Sequence, residues 1–396
     1  MLDRLQDTPP DALLALISAF AADERDDKID LGVGVYRTDD GGTPVFQAIK
    51  TAEQRLWEEQ DSKSYLGPEG DKDFVRAIMP ILFGDNPDMG GRIDGLQTPG
   101  GTGAVRLAIA LAEKAGITRV HVGTPSWPNH IPIIQDVGLE APTFSHAKPD
   151  GTADAEAVLD LIRNGREGDA VLLHACCHNP SGIDYSPEQW DRIADALADS
   201  PVLPIIDSAY QGLGTGLEED SAGLRKVLAK VPDALIAYSC DKNFGLYRDR
   251  VGAMYAKVAD PAQMSAAMSN AAALARANWS MPPDHGGAAV RIVLRDEDLR
   301  QQWLDELDGM RQRLRWVRAH LAGADNKVEG VPLAHLEEQN GLFAMLPLNK
   351  DQIARLREDH AVYMAGSGRI NIAGLTKGNI DKFIAALADV TQSTAG

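Results

Sequence analysis

From about residue 95 onward, short apolar or β-branched runs alternate with stretches in which apolar residues recur every three or four positions. The runs Arg119–Val122, Ala170–His174, Val202–Ile206, Ala234–Ala237 and Gly252–Tyr255 predict strands. Gly103–Lys114, Pro187–Leu197 and Ser221–Leu228 predict helices among them. Such alternation implies crossover connections and a mostly parallel sheet. Asp296–Leu321 predicts one long helix leading out of this region. Beyond it, strand candidates Gly341–Leu346 and Arg369–Ile372 and a helix over Asp381–Val390 predict a smaller α/β unit, and the closing TQSTAG is expected to fray. Upstream, Thr8-Pro9-Pro10-Asp11 reads as a helix start ahead of Leu13, Leu14, Leu16 and Ile17. Ile29–Tyr36 reads as a strand interrupted by glycines, which let a ligand or another chain approach the backbone.

A chain of 396 residues exceeds what one hydrophobic core usually serves, so two unequal domains are expected. The boundaries read as an N-terminal arm and part of a small domain over 1–40, a large domain over 41–310, and the rest of the small domain over 311–396. An apolar fraction of 44% is ample for both cores. The formal charge of −19 argues against nucleic acid and against anionic membranes, whose phosphates it would repel. An anionic ligand would then need a local basic pocket set against that field. The three cysteines, Cys176, Cys177 and Cys240, offer neither a zinc framework nor a disulfide framework, and no metal site is expected. Asp3, Asp7 and Asp11 stand where a secretory leader would be basic, and no apolar run reaches membrane-spanning length, so a soluble cytoplasmic protein is expected.

In an open parallel sheet, ligands bind beyond the carboxyl ends of the strands. Four strand ends deliver polar residues there. Thr98-Pro99-Gly100-Gly101-Thr102-Gly103 opens a helix, and its free N–H groups suit an anion, although such a turn is as often only a tight turn. The second end runs His174-Ala175-Cys176-Cys177-His178-Asn179, the third Asp207-Ser208-Ala209-Tyr210, and the fourth Ser239-Cys240-Asp241-Lys242-Asn243. Asp207, at a strand end, is either a loop cap or a carboxylate facing a cationic ring nitrogen. Lys242 follows an apolar strand and precedes Phe244-Gly245-Leu246-Tyr247, a context that would desolvate it and ease deprotonation of its amine. Gly212-Leu213-Gly214-Thr215-Gly216 lacks dinucleotide spacing.

The segments DKIDLGVGVYRTDDG, SYLGPEG, TPGGTGA, PSWPNH, LLHACCHNPSGID, PIIDSAYQG, CDKNFGLYRDRVGA, RANWSMPP and GRINIAGL resemble, in order and over nearly the whole chain, the class I aspartate/aromatic aminotransferase family. The resemblance implies pyridoxal 5'-phosphate as cofactor and the PLP fold type I. That fold has a large domain with a mostly parallel mixed sheet flanked by helices, plus a smaller α/β domain. It implies that Lys242 bonds the cofactor and shuttles a proton, and that Asp207 pairs with the pyridine nitrogen and is supported by His130. Asn179 and Tyr210 match the pair that hydrogen-bonds the ring oxygen, and Trp127 matches the aromatic residue stacked on the ring. Gly101, Thr102, Ser239 and Arg250 match the phosphate cradle, joined by Tyr65 from the other subunit of a homodimer. Arg369 resembles the arginine that binds the substrate α-carboxylate, and Arg276 the partner-derived arginine for a distal carboxylate. Gly34 matches backbone that closes over the substrate. The implied reaction is ping-pong transfer of an amino group from aspartate or aromatic amino acids to 2-oxoglutarate.

Three positions depart from the family pattern. Asp241 stands where serine is common, and would favour a charged Lys242 if it points inward. Ser181 replaces threonine, a nearly neutral change. Met281 replaces asparagine and would loosen a polar substrate mouth. The rival readings are a mainly aromatic-amino-acid transaminase with weak aspartate activity and a non-catalytic PLP-fold binding protein.

Overall fold

A computed structural model describes residues 2–5, 7 and 12–392. The expected helix start at Thr8–Asp11 and the last four residues of the chain lie outside them. The chain forms two compact units. One comprises Pro44–Arg313, and the other Met1–Thr43 together with Leu314–Gly396. The first strand, β1 (Ile29–Asp30), belongs to the smaller unit. The larger unit follows with β2 (Ile93–Pro99), β3 (Arg119–Thr124), β4 (Thr143–Ser145), β5 (Asp169–His174), β6 (Leu203–Ser208), β7 (Ala234–Ser239) and β8 (Val251–Lys257). The smaller unit resumes with β9 (Phe343–Met345), β10 (Val362–Tyr363) and β11 (Arg369–Asn371).

In the larger unit, seven strands pair in the order β2-β8-β7-β6-β5-β3-β4. Only β8 runs against its neighbours; the other pairings of the sheet are parallel. Central strands covered on both faces read as continuous apolar runs rather than alternating ones. β6, β7 and β8 obey this, with β7 and β8 buried at every position. In this sheet the strands expected from the sequence all form, most of them running one or two residues further, while Gly341–Leu346 and Arg369–Ile372 of the smaller unit are strand only over Phe343–Met345 and Arg369–Asn371. β4 was not expected: its three residues are too short and too exposed to leave a pattern.

The helices start where local chemistry starts them. Pro187–Ala198 has Ser186 as N-cap, with Gln189 returning a hydrogen bond in a capping box, and it buries Trp190, Ile193, Ala194 and Leu197 along one stripe. Lys72–Phe83 is capped by Asp71, whose side chain accepts from the N–H groups of Asp73 and Phe74. Gly100–Lys114 differs: no side chain caps its N-terminus, so the first-turn N–H groups stay available.

In the smaller unit, β1 pairs parallel with β10, and β11 pairs antiparallel with β9. The Ile29–Tyr36 segment is strand for only its first two residues. The Asp30 carboxylate turns back to accept from Gly32 N–H, and Val35 N–H bonds Val33 O, so the glycine-rich part becomes a bent loop. Asn371 holds that loop by donating to the carbonyls of Val33 and Val35. Arg318 is buried and gives hydrogen bonds to the carbonyls of Asn340, Gly341 and Phe343, which fixes the approach to β9. No helix among the described residues is long and apolar enough to cross a membrane.

The glycine run after Tyr210 has a structural explanation. Asp220 is buried and accepts hydrogen bonds from the N–H groups of Gly212, Gly214, Thr215 and Gly216. Burial raises its pKa, against the opposing pull of those donors. A Cβ at Gly214 would sit 2.6 Å from the carboxylate, so a larger residue could not approach it this closely. Asp220→Ala strands several buried N–H groups at once. An unfolding free energy lower by about 2–3 kcal/mol is expected in urea titration. A loss under about 0.5 kcal/mol would show that the loop holds itself.

Candidate active site

The carboxyl edge of the sheet gathers the polar residues of five strands. β2 ends at Pro99 and gives way directly to the helix Gly100–Lys114. β3 leads to Trp127 and His130, β5 to Asn179, β6 contains Asp207 and leads to Tyr210, and β7 leads to Lys242. The antiparallel β8 begins at the same edge, because Val251 pairs with Pro99 and Gly252 with Ser239. The reversal places Arg250, immediately before β8, beside the start of the β2 helix.

Lys242 Nζ lies 5.1 Å from the centroid of the Tyr210 ring. Desolvation lowers its pKa, outweighing the opposing charges of Asp241 and Asp207. Asp207 responds the other way. Burial alone would raise its pKa, but the His130 hydrogen bond and the positive charge of its neighbours hold it below the ordinary carboxylate value. Asp207 Oδ2 is 3.1 Å from His130 Nε2, and His130 Nδ1 is 2.8 Å from Ser126 Oγ. The other carboxylate oxygen, Asp207 Oδ1, is buried without a hydrogen-bond partner. A buried, ionised, half-satisfied carboxylate is costly unless a cationic donor meets it. Asn179 Nδ2 reaches Tyr210 Oη at 3.5 Å, while Asn179 Oδ1 is likewise buried and unpartnered.

The anion seat is built by subtraction. Gly100 has φ +70°, and a Cβ there would lie 2.5 Å from Arg250 Nη2. A Cβ on Gly101 would lie 2.8 Å from the Ser239 side chain. Glycine at both positions therefore leaves room for the helix N-terminus, Ser239 and Arg250 to converge, as phosphate binding requires. These features fit pyridoxal phosphate: a cradle for its phosphate, an orphaned carboxylate oxygen for its ring nitrogen, and a desolvated amine for its carbonyl.

Sequence reasoning missed the layer behind Asp207. His130 and His174 have ring centroids 5.0 Å apart, His174 and His178 4.3 Å, and His178 stacks on His146 at 3.5 Å with planes 5° apart. The spacing of His174 and His178 was visible in the second strand-end segment, but His146 follows β4 and nothing local marks it. Asp241 is held by Arg250 and the β8 backbone: its Oδ2 accepts from Arg250 Nη1 at 2.5 Å and its Oδ1 from Val251 N–H at 3.2 Å.

The remaining expected residues lie elsewhere in the chain. Tyr65 is 93% exposed, and no hydrogen bond or ring contact among the described residues joins it to the cradle. Arg276, in the last turn of the helix Met264–Asn278, is exposed and donates to Ser280 Oγ. Met281 Sδ accepts from Leu66 N–H at 3.1 Å, tying the segment after Arg276 to the one that carries Tyr65. Arg369 and Gly34 belong to the smaller unit. There, Arg369 lies over the Phe343 ring at 4.6 Å and donates to Gly32 O, and a Cβ on Gly34 would touch the same ring.

Known proteins place this arrangement. The chain is 47% identical over 376 residues to a tyrosine aminotransferase of Rhizobium meliloti, covering 95% of this chain and 96% of that one. It is 40% identical to an aspartate aminotransferase of Escherichia coli, over 98% and 100% of the two chains. It also superposes with a TM-score of 0.95 on a crystal structure of the Burkholderia pseudomallei aromatic-amino-acid aminotransferase covalently bound to pyridoxal phosphate, at 32% identity and 99% of each chain. The fold class expected from the resemblance therefore holds. Residues 26–387 match the family described as aminotransferase class I and II, and the chain belongs to that family.

Proposed function

We propose that this protein is a pyridoxal-phosphate aminotransferase that moves the amino group of aspartate or aromatic amino acids to 2-oxoglutarate in ping-pong order. The observation that carries this reading is the convergence at one sheet edge of a desolvated Lys242, the Asp207–His130 pair, and the Gly101–Ser239–Arg250 cradle. When bound, pyridoxal phosphate supplies an electrophilic carbonyl and a pyridine ring that accepts electrons best when protonated.

The residues divide the work. Lys242, whose depressed pKa leaves more of it as free amine near neutral pH, takes the proton from the substrate Cα and returns it elsewhere. Asp207 stays ionised and holds the ring nitrogen protonated, with His130 fixing its orientation. Tyr210 and Asn179, in contact with each other, hold the ring oxygen, and Trp127 covers the ring face. The N–H groups of Gly101 and Thr102, with Ser239 and Arg250, hold the phosphate. Arg369 takes the substrate α-carboxylate, which suits its planar fork, and Gly34 lies in the loop that covers the substrate. In this reading Pro44–Arg313 is the cofactor domain, and the smaller unit carries Arg369 and Gly34. The protein is a cytoplasmic homodimer, in which Tyr65 and Arg276 of each subunit serve the partner's site. Their exposure in the single chain, 93% for Tyr65, supports that assignment.

The second reading is a mainly aromatic-amino-acid transaminase. The apolar Met281 beside the Arg276–Ser280 hydrogen bond favours it. Comparing kcat/KM for aspartate and phenylalanine with 2-oxoglutarate as acceptor separates the two, because equal or better turnover of phenylalanine favours the aromatic enzyme. Arg276→Leu is expected to lower kcat/KM for aspartate about 100-fold, roughly 3 kcal/mol of lost carboxylate binding, and to change phenylalanine less than threefold. Similar losses on both substrates would remove Arg276 from the distal carboxylate. A purified protein that takes up no pyridoxal phosphate would end the whole reading.

A further inference from the structure

The anion cradle has a carboxylate in its wall. Asp241 is 3% exposed, and it sits against the same point of backbone as Arg250. A Cβ built on Gly100 would lie 2.5 Å from Arg250 Nη2 and 3.1 Å from Asp241 Oδ2. Gly100 is the first residue of the helix whose free N-terminus makes the seat. The guanidinium that should meet a dianionic phosphate is therefore already paired, at 2.5 Å, with a buried negative charge. We propose that Asp241 sets the affinity of this cradle for phosphoryl anions by partly neutralising Arg250, so that the protein holds its cofactor phosphate loosely and exchanges it readily. This inference rests on the reading of the site as a pyridoxal-phosphate site.

Two effects of opposite sign compete. The Asp241 pair orders Arg250, which favours binding. Its charge also repels a dianion in a partly buried site, where Coulomb forces are weakly screened. Repulsion wins for a structural reason. Arg250 does not depend on Asp241 for its position, since the same Nη1 also donates to the Tyr247 carbonyl at 3.1 Å. Losing the carboxylate charge thus costs little order and frees one full positive charge. Asp241 acts on the phosphate by its charge, which offsets that of Arg250, and is not itself a ligand of the anion. Its position beside Lys242 brings a second effect, because its charge favours the protonated lysine. The phosphate effect has to be read separately from the lysine effect.

The test compares wild type with Asp241→Asn, which keeps one acceptor oxygen for Val251 N–H, removes the charge, and leaves Arg250 Nη1 its bond to the Tyr247 carbonyl. Cofactor-free protein of each is titrated with pyridoxal 5'-phosphate, with pyridoxal lacking the phosphate, and with inorganic phosphate. The ratio of pyridoxal phosphate to pyridoxal affinity isolates the cradle from the lysine. That ratio is expected to rise about tenfold in Asp241→Asn. Inorganic phosphate should tighten by a similar factor, and release of pyridoxal phosphate from the loaded protein should slow in proportion. An unchanged or smaller ratio overturns the proposal, since it would mean that Asp241 only orders Arg250 or does nothing. Asp241→Ser serves as the second variant should the asparagine protein fail to fold, with the same expectation. Failure of wild type itself to take up pyridoxal phosphate would instead strike down the functional reading on which this inference stands.

Discussion

Lys242→Ala is expected to lower the rate of amino-group transfer from either donor by at least about 10⁴-fold. General acid–base catalysis alone is worth roughly 10²–10⁴, and this substitution also removes the amine proposed to bond the cofactor. The effect should fall on kcat, because Arg369, Asp207 and the cradle are untouched and substrate contacts remain. Stability should not suffer. Desolvation of the Lys242 amine is a cost to the folded state, expressed in its lowered pKa, and alanine relieves it. The expected pattern is thus a dead enzyme with a melting temperature equal to or above that of wild type. A variant that retained a tenth of wild-type turnover would place the essential base elsewhere.

The second large effect is on stability and comes from the histidine stack. Desolvation lowers the pKa of His174 to about 3 and that of His146 to about 4, and His178 is driven well below its ordinary value, also by burial first. The three are neutral in the folded protein across the range where an unfolded chain, with histidine near 6.5, takes up protons. The unfolded state then binds more protons, so stability falls as pH falls from about 6.5 toward 4. Each histidine contributes about 1.4 kcal/mol per pH unit in that window. Between pH 7 and pH 5 the trio should cost on the order of 5 kcal/mol. A native domain has only about 5–15 kcal/mol to lose. Asp220, whose pKa is raised by burial, pulls the other way as a single group. Urea unfolding at pH 7, 6 and 5 measures this directly, and His146→Phe should flatten the slope by about a third. A free energy constant over that range would mean that the stack admits protons, or water, without unfolding.

How much of this was legible in the sequence follows from which signals are local. The strands β5 to β8 were readable because a strand buried on both faces is a run of apolar residues that needs no partner to be recognised. The helix Pro187–Ala198 was readable from the recurrence of Trp190, Ile193, Ala194 and Leu197 at helical spacing. Lys242, Asp207, Asn179 and the glycine turn were readable because each lies at or shortly beyond the carboxyl end of a strand, and order along the chain stands in for proximity in an α/β sheet. What lacked a local signature was missed. β4 is three exposed-to-half-exposed residues. His146 meets His178 only because β4 pairs beside β3, far from β5 in sequence. The direction of Asp241 was open because it depends on Arg250, and Arg250 is placed by a strand reversal that composition does not announce. The glycine run at 212–216 was readable only as an absence of dinucleotide spacing. Its purpose depends on a buried carboxylate on the following helix, at Asp220.

That strand reversal has a consequence for how the protein assembles itself. Every parallel neighbour in the sheet is joined through a long crossover, but β7 and β8 are joined by the short segment that carries Lys242 and Arg250. That hairpin is local and can form early. Its two charged residues alone are no anion seat, because Gly100 and Gly101 arrive only when β2, about 150 residues earlier in the chain, docks on the far side of β8. Closing so long a loop is among the slowest steps available to a chain of this topology. Cofactor capture therefore cannot precede the docking of β2. A newly made chain cannot hold the phosphate until its edge strand is in place, so uptake of the coloured ligand reports a finished sheet rather than a collapsed one.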